Sequence, residues 1–398
     1  MVWQAVSLAA LVIGVLALVI AARVLRRQRS RNGARSLATS RSSSEPWGLP
    51  HPGGSKGRRT RPRRDRVAFI VNPTKPGLAH LREAAYLASR ARNLPEPLWQ
   101  YTTTEDTGRA AALEAVAAGA ELLVAAGGDG TVRAVASAAA DSGLPMGVIP
   151  LGTGNLLARN LGLPLRDVPA ALAIALDGDE APIDVGWVMI AGGSGEIVEQ
   201  PFLVVAGIGL DAEMVAGATA SLKSRLGWLA YAVAALRHLR STRIRATVTV
   251  DDQEPVDKKM RTVLIANCGR LPAGLVLAPE ARIDDGTLDI AILDARGGIA
   301  GWTELAGQVW LQGTRINAPS LPDSWRAGRI DHSRGSSVEI RAEAPQRIQI
   351  DGEPIEHSSN LRAWVKPAAV IVRTGSSISN PKRRRPPKKP PTERRRSV

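Results

Sequence analysis

The sequence predicts two folded domains: an N-terminal α/β domain with a parallel sheet, and a C-terminal, mainly antiparallel β-sandwich. In residues 66–180, short apolar runs alternate with segments of helical spacing, which is typical of a parallel sheet with helices on both faces. In residues 181–375, strand-like runs follow one another with turn signals between them, as in antiparallel β structure. The apolar segment 1–25 is long enough to form a transmembrane helix.

The α/β domain is predicted from its strands and from the loops that end them. Apolar runs at residues 67–71, 122–126 and 147–150 predict three buried strands, and the helical segments are 78–92, 108–118, 132–140 and 156–160. The strands are followed by loops at residues 72–77, 127–131 and 152–155. Because ligands of parallel α/β sheets bind outside the carboxyl ends of the strands, we expect the three loops to converge on one phosphate-bearing ligand.

The second domain is predicted from strand-like runs and two helical patterns. The helical patterns cover residues 211–239 and 299–314. The runs that predict strands are 183–190, 202–208, 244–250, 261–267, 287–293, 336–341 and 346–350.

A glycine-rich turn after the second of these strands is the strongest indication of a ligand site. Gly127, Gly128 and Gly130 are expected to allow a positive φ and to let a ligand approach the backbone, with a helix beginning at Val132. Successive backbone amides beside a helix N-terminus form a site suited to phosphates. Asp129 lies in this turn and is expected either to order the loop or to hold a metal ion.

The positive charge is concentrated outside the predicted domains. The formal net charge is +15, of which residues 23–66 contribute +12 and residues 382–398 contribute +8, so that residues 67–381 carry −5. A nucleic-acid-binding fold carries its basic face on the fold itself, so we expect no nucleic-acid partner. Basic segments next to a bilayer attract anionic lipid, so the expected partner is an anionic membrane surface.

The apolar segment 1–25 and the basic residues after it also predict the localisation. Arginines follow the apolar segment 1–25, so the positive-inside rule predicts a single-pass cell-membrane anchor with the catalytic domains in the cytoplasm. A cleaved signal peptide is the alternative, although its charges would precede the apolar run. The compositions of residues 26–65 and 376–398 predict a disordered basic linker and a disordered polybasic tail.

Two glycine loops in this order resemble those of a known family. Gly-Gly-Asp-Gly-Thr at 127–131, followed by Pro-Leu-Gly-Thr-Gly-Asn at 150–155, is similar to the diacylglycerol kinase catalytic family, which includes bacterial lipid kinases and sphingosine kinases. Weaker matches agree in order at residues 71–73, 207–211, 227–231, 283–286 and 350–353. A third loop, which follows the predicted strand 67–71, reads Thr-Lys-Pro-Gly at 74–77 and lacks the Ser-Gly pair common in the family.

The resemblance implies an ATP-binding site and roles for particular residues. Asp351 matches the position of the general base on the lipid hydroxyl, and Glu353 lies beside it near Mg²⁺. Asp284 and Asp285 match a segment that helps to bind a second, structural Mg²⁺ in bacterial relatives, and Asp129 faces metal or loop amides. The implied nucleotide-binding residues are Asn72, Gly127, Gly128, Asp129, Gly130, Thr131, Gly152, Thr153, Gly154 and Asn155.

Local patterns leave alternatives open at both acidic segments. If strand geometry continues through Gly352, Asp351 and Glu353 point the same way, as paired carboxylates around a metal ion would. An Asp-Gly pair after alternating residues is also an ordinary hairpin signal. Asp284, Asp285 and Gly286 fit a simple turn as well as a metal site.

These observations lead to one leading function and two alternatives. The leading hypothesis is a membrane-tethered lipid kinase that uses MgATP, with diacylglycerol as acceptor and phosphatidic acid as product. A kinase for a soluble substrate such as NAD is the first alternative, and a membrane anchor gives no advantage to it. A non-catalytic nucleotide- or lipid-binding module is the second, and such a module has no need for a base at Asp351.

Overall fold

A computed structural model describes residues 66–191, 197–209, 243–270, 278, 280–295 and 328–375. The predicted anchor 1–25, linker 26–65, tail 376–398 and both helical patterns of the second domain lie outside these residues. None of the helices in the described ranges is both long and apolar enough to cross a membrane.

The N-terminal part is a parallel sheet covered by helices, as predicted. Strands β1, β3 and β4 are buried at every residue, which explains why their sequences are continuous apolar runs. The elements in chain order are β1 (Val67–Val71), α1 (Leu78–Ala91), β2 (Leu98–Tyr101), α2 (Arg109–Ala117), β3 (Leu122–Gly127), α3 (Asp129–Ser142), β4 (Met146–Pro150), α4 (Leu156–Asn160) and α5 (Val168–Asp177).

One strand of this sheet was not predicted. Strand β2 has only four residues, none of them fully buried, and lies between polar and proline-containing segments, so that it carries little apolar signal. It pairs with β1 in parallel, on the side opposite β3. The strand order is therefore β2-β1-β3-β4. The chain adds β2 on one side of β1 and then β3 and β4 on the other, so the direction in which strands are added reverses between β1 and β3. Ligand sites of open α/β sheets lie at such a reversal, so this topology places the site at the loops after β1 and β3.

The C-terminal part is mainly antiparallel, also as predicted. The strands β6, β9, β12 and β14 were not predicted, because polar residues interrupt their apolar pattern. The runs 336–341 and 346–350 belong to one strand with a register shift between Arg341 and Gln346. The strands are β5 (Asp179–Ala191), β6 (Ile197–Phe202), β7 (Val205–Ile208), β8 (Ile244–Val250), β9 (Val256–Met260), β10 (Thr262–Ala266), β11 (Leu288–Ala295), β12 (Gly328–Gly335), β13 (Ser337–Ile350) and β14 (Glu353–Thr374).

Strand β14 connects the two parts. It pairs with β13 and β5 in antiparallel fashion, and near its end Val372 pairs in parallel with Met146 of β4. The antiparallel strands and the parallel sheet therefore belong to one continuous hydrogen-bonded path. The hairpin between β13 and β14 begins at the pair Ile350 and Glu353, and its two turn residues are the predicted base Asp351 and Gly352. The fold thus carries this turn next to the nucleotide half of the protein.

Candidate active site

A cleft of about 560 Å³ lies where the two parts meet. One wall is formed by the loops after β1, β2, β3 and β4, and the other by residues of β7, β10 and the β13–β14 turn. Its lining residues are Asn72, Lys75, Thr102, Thr103, Thr107, Gly128, Asp129, Gly130, Thr131, Gly152, Thr153, Gly154, Leu156, Val205, Leu264, Gln349, Asp351, Gly352 and Glu353.

The first glycine segment is a strand end followed directly by a helix. Strand β3 ends at Gly127, Gly128 is the N-cap in extended conformation, and α3 begins at Asp129 rather than at Val132. The first amides of a helix have no partner within it, and the helix dipole favours negative charge at this end. Gly128 offers no side chain to cap them. The cleft therefore presents backbone donors suited to a phosphate group.

The expected positive φ at Gly127, Gly128 and Gly130 is wrong, because none of the three lies in the left-handed region. Close approach explains Gly127 instead, whereas the atom nearest to a Cβ on Gly130 is the end of the half-exposed side chain of Glu353. A Cβ on Gly127 would lie 2.6 Å from the Cβ of Thr131, and a Cβ on Gly130 would lie 2.9 Å from Oε1 of Glu353.

The second loop approaches the first just as closely. A Cβ on Gly152 would lie 2.7 Å from the Cα of Gly128, and a Cβ on Gly154 would lie 2.5 Å from Oδ2 of Asp129. Glycines at these positions allow the two phosphate loops to pack against each other.

Asp129 joins the two loops. Its carboxylate accepts hydrogen bonds from the amides of Asn155 (2.9 Å) and Leu156 (2.6 Å), and so caps the N-terminus of α4. Of the two roles expected for Asp129, ordering loop amides is the one that these contacts show. Burial raises the pKa of Asp129 to about 6, and the charges of Asp351 and Glu353 act in the same direction.

The two asparagines predicted for the nucleotide site differ in position. Asn72 lines the cleft, and its side-chain oxygen accepts hydrogen bonds from the backbone amide and the hydroxyl of Thr74. Asn155 has a φ of 47° and bonds both the amide and the carbonyl of Gly152, which closes the second loop. Asn155 and Gly127 are not among the lining residues, so in this structure both shape the loops from behind.

Asp351 occupies a hairpin turn, which confirms the hairpin interpretation. Asp351 and Gly352 have φ values of 49° and 84°, and strand geometry does not continue between Asp351 and Glu353. The condition for the alternative, continued strand geometry between the two carboxylates, is therefore not met, although both residues line the cleft. Turn and functional site are compatible here, because the Asp351 carboxylate points inward to the edge of the cleft.

Three consecutive amides hold the Asp351 carboxylate. Oδ2 accepts from the amide of Leu203 at 3.0 Å, and Oδ1 accepts from Val204 at 2.9 Å and Val205 at 3.1 Å. Burial raises the pKa of Asp351 above its ordinary value, while the charge of Arg133 and the three amides act in the opposite direction. A buried carboxylate with this many donors is held in one orientation.

Glu353 lies on the other side of the turn and is half exposed. Its Oε2 is 2.6 Å from Nη2 of Arg133, a residue of α3. Arg133 also donates from Nη1 to the carbonyl of Ile350 at 3.2 Å and lies 4.0 Å from Oδ2 of Asp351. No short motif in the sequence points to Arg133.

Sequence reasoning also missed several residues of the cleft. Thr102, Thr103 and Thr107 follow β2, a strand that was not predicted, so that the loop after it was not recognised as a fourth wall element. Lys75 lies in the loop after β1 and extends toward Gly128. A Cβ on Gly128 would lie 4.0 Å from Cε of Lys75. In the sequence, the only indication of a special role for Lys75 was that residues 74–77 lack the Ser-Gly pair common in the family.

The structure does not bring Asp284 and Asp285 to the cleft. Asp284 pairs with Arg282 at 2.9 Å, and Asp285 accepts from the amide and the hydroxyl of Thr287. Together with Gly286 at a φ of 72°, these contacts are those of a turn. Within the described ranges, no group of three or more His, Cys, Asp or Glu side chains could hold a metal ion. A metal role for Asp284 and Asp285 stays a prediction.

Comparisons with known proteins match both parts of the chain. A model of the diacylglycerol kinase catalytic domain matches residues 66–188, and a model of the YegS C-terminal NAD kinase beta sandwich-like domain matches residues 204–374. A Pseudomonas aeruginosa protein named "Probable lipid kinase YegS-like" is 30% identical over 313 residues, covering 78% of this chain and 94% of that protein. The diacylglycerol kinase of Bacillus subtilis is 28% identical over 291 residues, covering 72% and 89%.

Solved structures show the same fold. A diacylglycerol kinase from Bacillus anthracis str. Sterne matches with a TM-score of 0.54 and 20% identity, over 79% of this chain and 98% of that one. The chain belongs to the diacylglycerol kinase catalytic-domain family. It is a phosphotransferase of the diacylglycerol and lipid kinase type, and its family implies the use of ATP.

The packing of the two loops generates a prediction about stability. Gly154→Ala places a methyl group against the Asp129 carboxylate, so we expect the free energy of unfolding to fall by about 1–3 kcal/mol. Gly128→Ala is the matched variant, because its Cβ would lie 3.7 Å from the Cα of Gly152, which is an ordinary contact. The added methyl group would, however, stand in the cleft that Gly128 lines. Gly128→Ala is expected to keep the stability and to weaken ATP binding. Denaturant unfolding and titration with a fluorescent ATP analogue measure both; equal unfolding midpoints for the two variants would contradict the proposed packing.

The raised pKa of Asp129 generates a prediction about pH. The folded-state pKa of about 6 lies above the ordinary value of 3.8, so the folded protein binds more protons than the unfolded chain between these values. The contribution of Asp129 to stability is therefore full below about pH 4 and decreases as the pH rises through 6, by roughly 1.4 kcal/mol per pH unit. Unfolding of the wild type and of Asp129→Ala, without nucleotide, should show the wild type losing stability relative to the variant over this range. A constant difference would exclude the raised pKa.

Proposed function

We propose that this protein transfers the γ-phosphoryl group of MgATP to the hydroxyl of a membrane lipid, with diacylglycerol as acceptor and phosphatidic acid as product. One observation carries the proposal: the Asp351 carboxylate lines the same cleft as the two glycine loops. A phosphate site and a candidate base in one cleft are what phosphoryl transfer to an alcohol requires.

The nucleotide half of the cleft provides donors and one cation. The amides at the start of α3 and the loop 152–154 face the cleft. Lys75 is the only lysine or arginine among the lining residues, and no side-chain hydrogen bond or ion pair is present for it within the described part of the chain. Phosphoryl transfer depends mainly on positioning and on neutralisation of phosphate charge, and these groups supply both.

The acceptor half supplies the base. Asp351 would take the proton from the lipid hydroxyl while that oxygen attacks the γ-phosphorus and the bond to the bridging oxygen of ADP breaks. The three amides of residues 203–205 fix the carboxylate, and Arg133 favours its charged form. Because Asp351 is buried but lines the cleft, a hydroxyl bound in the cleft could approach it.

The carboxylates also fit a role for Mg²⁺. This ion commonly binds one or two carboxylates together with substrate phosphates and water, so it does not need a cage of three protein ligands. Glu353 lies at the cleft and is half exposed, whereas both oxygens of Asp129 accept backbone amides. We infer that Glu353 is the ligand that reaches the ion, which when bound neutralises charge on the phosphates.

The choice of a lipid acceptor is supported by the relatives and by the charge distribution. The Pseudomonas aeruginosa and Bacillus subtilis relatives are named as a lipid kinase and a diacylglycerol kinase. The apolar segment 1–25 and the basic segments on both sides of the folded part favour a substrate that resides in an anionic membrane. A bilayer presents diacylglycerol with its hydroxyl at the surface, where a membrane-tethered kinase would encounter it.

The direct test is the transfer of label from ATP to a lipid. The full-length protein is incubated with γ-labelled ATP and Mg²⁺ in three separate arms: diacylglycerol vesicles, a total lipid extract, and NAD. We expect labelled phosphatidic acid in the first two arms. Label in another lipid of the extract, with none in the diacylglycerol arm, would contradict the acceptor, and label only in the NAD arm would contradict the class of substrate.

Asp351→Asn tests the base. Asparagine tolerates the left-handed conformation of this turn but cannot accept the proton, so we expect kcat to fall by about 10²–10⁴-fold with ATP binding retained. Asp251→Asn is the matched control, because Asp251 also has a positive φ (48°) and accepts amides of a neighbouring loop, but it lies outside the cleft. Full activity of Asp351→Asn, or an equal loss in both variants, would contradict the assignment.

The membrane attachment is tested by deletion. Removal of residues 1–25 should release the protein from the membrane fraction. Insertion of the predicted transmembrane helix binds a membrane far more strongly than electrostatic attraction of the basic segments alone. Fractionation of cells in low and high salt measures this. Retention of the shortened protein in the pellet at high salt would show that the segment 1–25 is not the main attachment.

A further inference from the structure

Arg133 links the two halves of the cleft. It lies in α3, one turn after Asp129, and its side chain is only 13% exposed. Its partners are more than two hundred residues further along the chain, in the β13–β14 hairpin. Long charged side chains are seldom buried unless they are paired. The burial of Arg133 therefore depends on its contacts with the hairpin.

The contacts of Arg133 surround the turn that carries the proposed base. Nη1 donates to the carbonyl of Ile350, immediately before Asp351, and Nη2 lies 2.6 Å from Oε2 of Glu353, immediately after the turn. Two nitrogens of one planar guanidinium therefore hold the residues on both sides of Asp351 and Gly352. Such a two-point contact fixes direction as well as distance, which a single ammonium group does not do.

The same helix begins at the phosphate loop. The first turn of α3 lines the cleft, so the guanidinium relates the position of the hairpin turn to the position of the phosphate donors through one rigid element. Glu353 also approaches this turn directly, since its Oε1 would lie 2.9 Å from a Cβ on Gly130. The two contacts of the guanidinium therefore relate the position of the Asp351 turn to that of a phosphate bound at α3.

Arg133 does not have the features of a phosphate-binding cation. It is not among the residues that line the cleft, and both of its terminal nitrogens are engaged by the hairpin. Lys75 differs on both points, because it lines the cleft and no side-chain partner is present for it among the described residues. The two cations therefore serve different purposes.

We propose that Arg133 is a positioning residue, which holds the Asp351 turn in register with the phosphate donors of α3. The inference rests on the proposed function in so far as it assigns Asp351 as the base. It extends that function by making the rate of transfer depend on a residue that contacts neither substrate. Misplacement of reacting groups by about 1 Å can lower a rate by 10²-fold, so the effect of losing this contact is measurable.

The kinetic test uses Arg133→Met, Arg133→Lys and a control, with the full-length protein. For Arg133→Met we expect kcat for the phosphorylation of diacylglycerol to fall by about 10²-fold, with the Kd for an ATP analogue unchanged within about twofold. Arg133→Lys should recover part of the loss, because one ammonium group can hold Glu353 or the Ile350 carbonyl but not both. Arg109→Met is the matched control: it removes an arginine that pairs with Asp141 away from the cleft, and kcat should not change.

The outcomes that overturn the inference are distinct. An unchanged kcat in Arg133→Met would exclude a positioning role, and a parallel loss of kcat and ATP affinity would instead make Arg133 a nucleotide ligand. If Arg133→Met does not fold, Arg133→Lys decides: a lower kcat at unchanged melting temperature and ATP affinity supports the inference, and wild-type kinetics overturn it.

A second readout separates this inference from the proposed function. The amides of Asp351 and Gly352 donate to the Val205 carbonyl and to Oε1 of Gln349, so their hydrogen exchange reports on the turn without any substrate. We expect faster exchange at both amides in Arg133→Met than in Arg109→Met. Faster exchange in a protein that phosphorylates no lipid would refute the proposed function alone. Unchanged exchange would refute the positioning role, whichever lipid is phosphorylated.

Discussion

The structure of the site depends on the inward orientation of one carboxylate. Asp351 lies in a tight hairpin turn, a position that is usually solvated, yet three consecutive amides of residues 203–205 hold its side chain in the protein interior. A buried carboxylate is unfavourable unless hydrogen bonds or charges compensate for the lost hydration. Residues 203–205, which lead from β6 into β7, supply this compensation and thereby connect the hairpin turn to the wall of the cleft.

The nucleotide half relies on a second carboxylate with a different task. Asp129 accepts the amides of Asn155 and Leu156 and so links the two glycine loops by hydrogen bonds. The glycines allow this close packing, which any Cβ would obstruct at Gly152 and Gly154. Burial is the main reason for the raised pKa of Asp129, and repulsion from the charges of Asp351 and Glu353 adds to it. Cations that accompany ATP, together with Lys75 and Arg133, would relieve this repulsion.

The parallel sheet and three of its strands could be predicted from the sequence, and the fourth strand, the strand order and the details of the glycine loops could not. Strands β1, β3 and β4 are buried on both faces, so their sequences are unbroken apolar runs, whereas β2 is short and only partly buried. The glycine motif identified the loops correctly. The positive φ expected at Gly127, Gly128 and Gly130 is found at none of them, because a sequence cannot distinguish a need for positive φ from a need for close packing.

The relation between the two halves was the least predictable feature. Asp351 and Glu353 are two residues apart, but the turn between them ends the alternation from which their directions were inferred. Arg133 could not be found from local patterns, since its partners lie on a hairpin distant in sequence. Contacts of this kind arise from tertiary packing alone, and they determine the geometry on which the proposed chemistry depends.

The most direct test of the account is a crystal structure of the full-length protein with Mg²⁺ and a non-hydrolysable ATP analogue. The account predicts that the phosphates contact the amides at the start of α3 and the loop 152–154, with the terminal phosphate on the side of the cleft that carries Asp351. Phosphates bound elsewhere, or a terminal phosphate directed away from Asp351 with the hairpin in its present position, would contradict it.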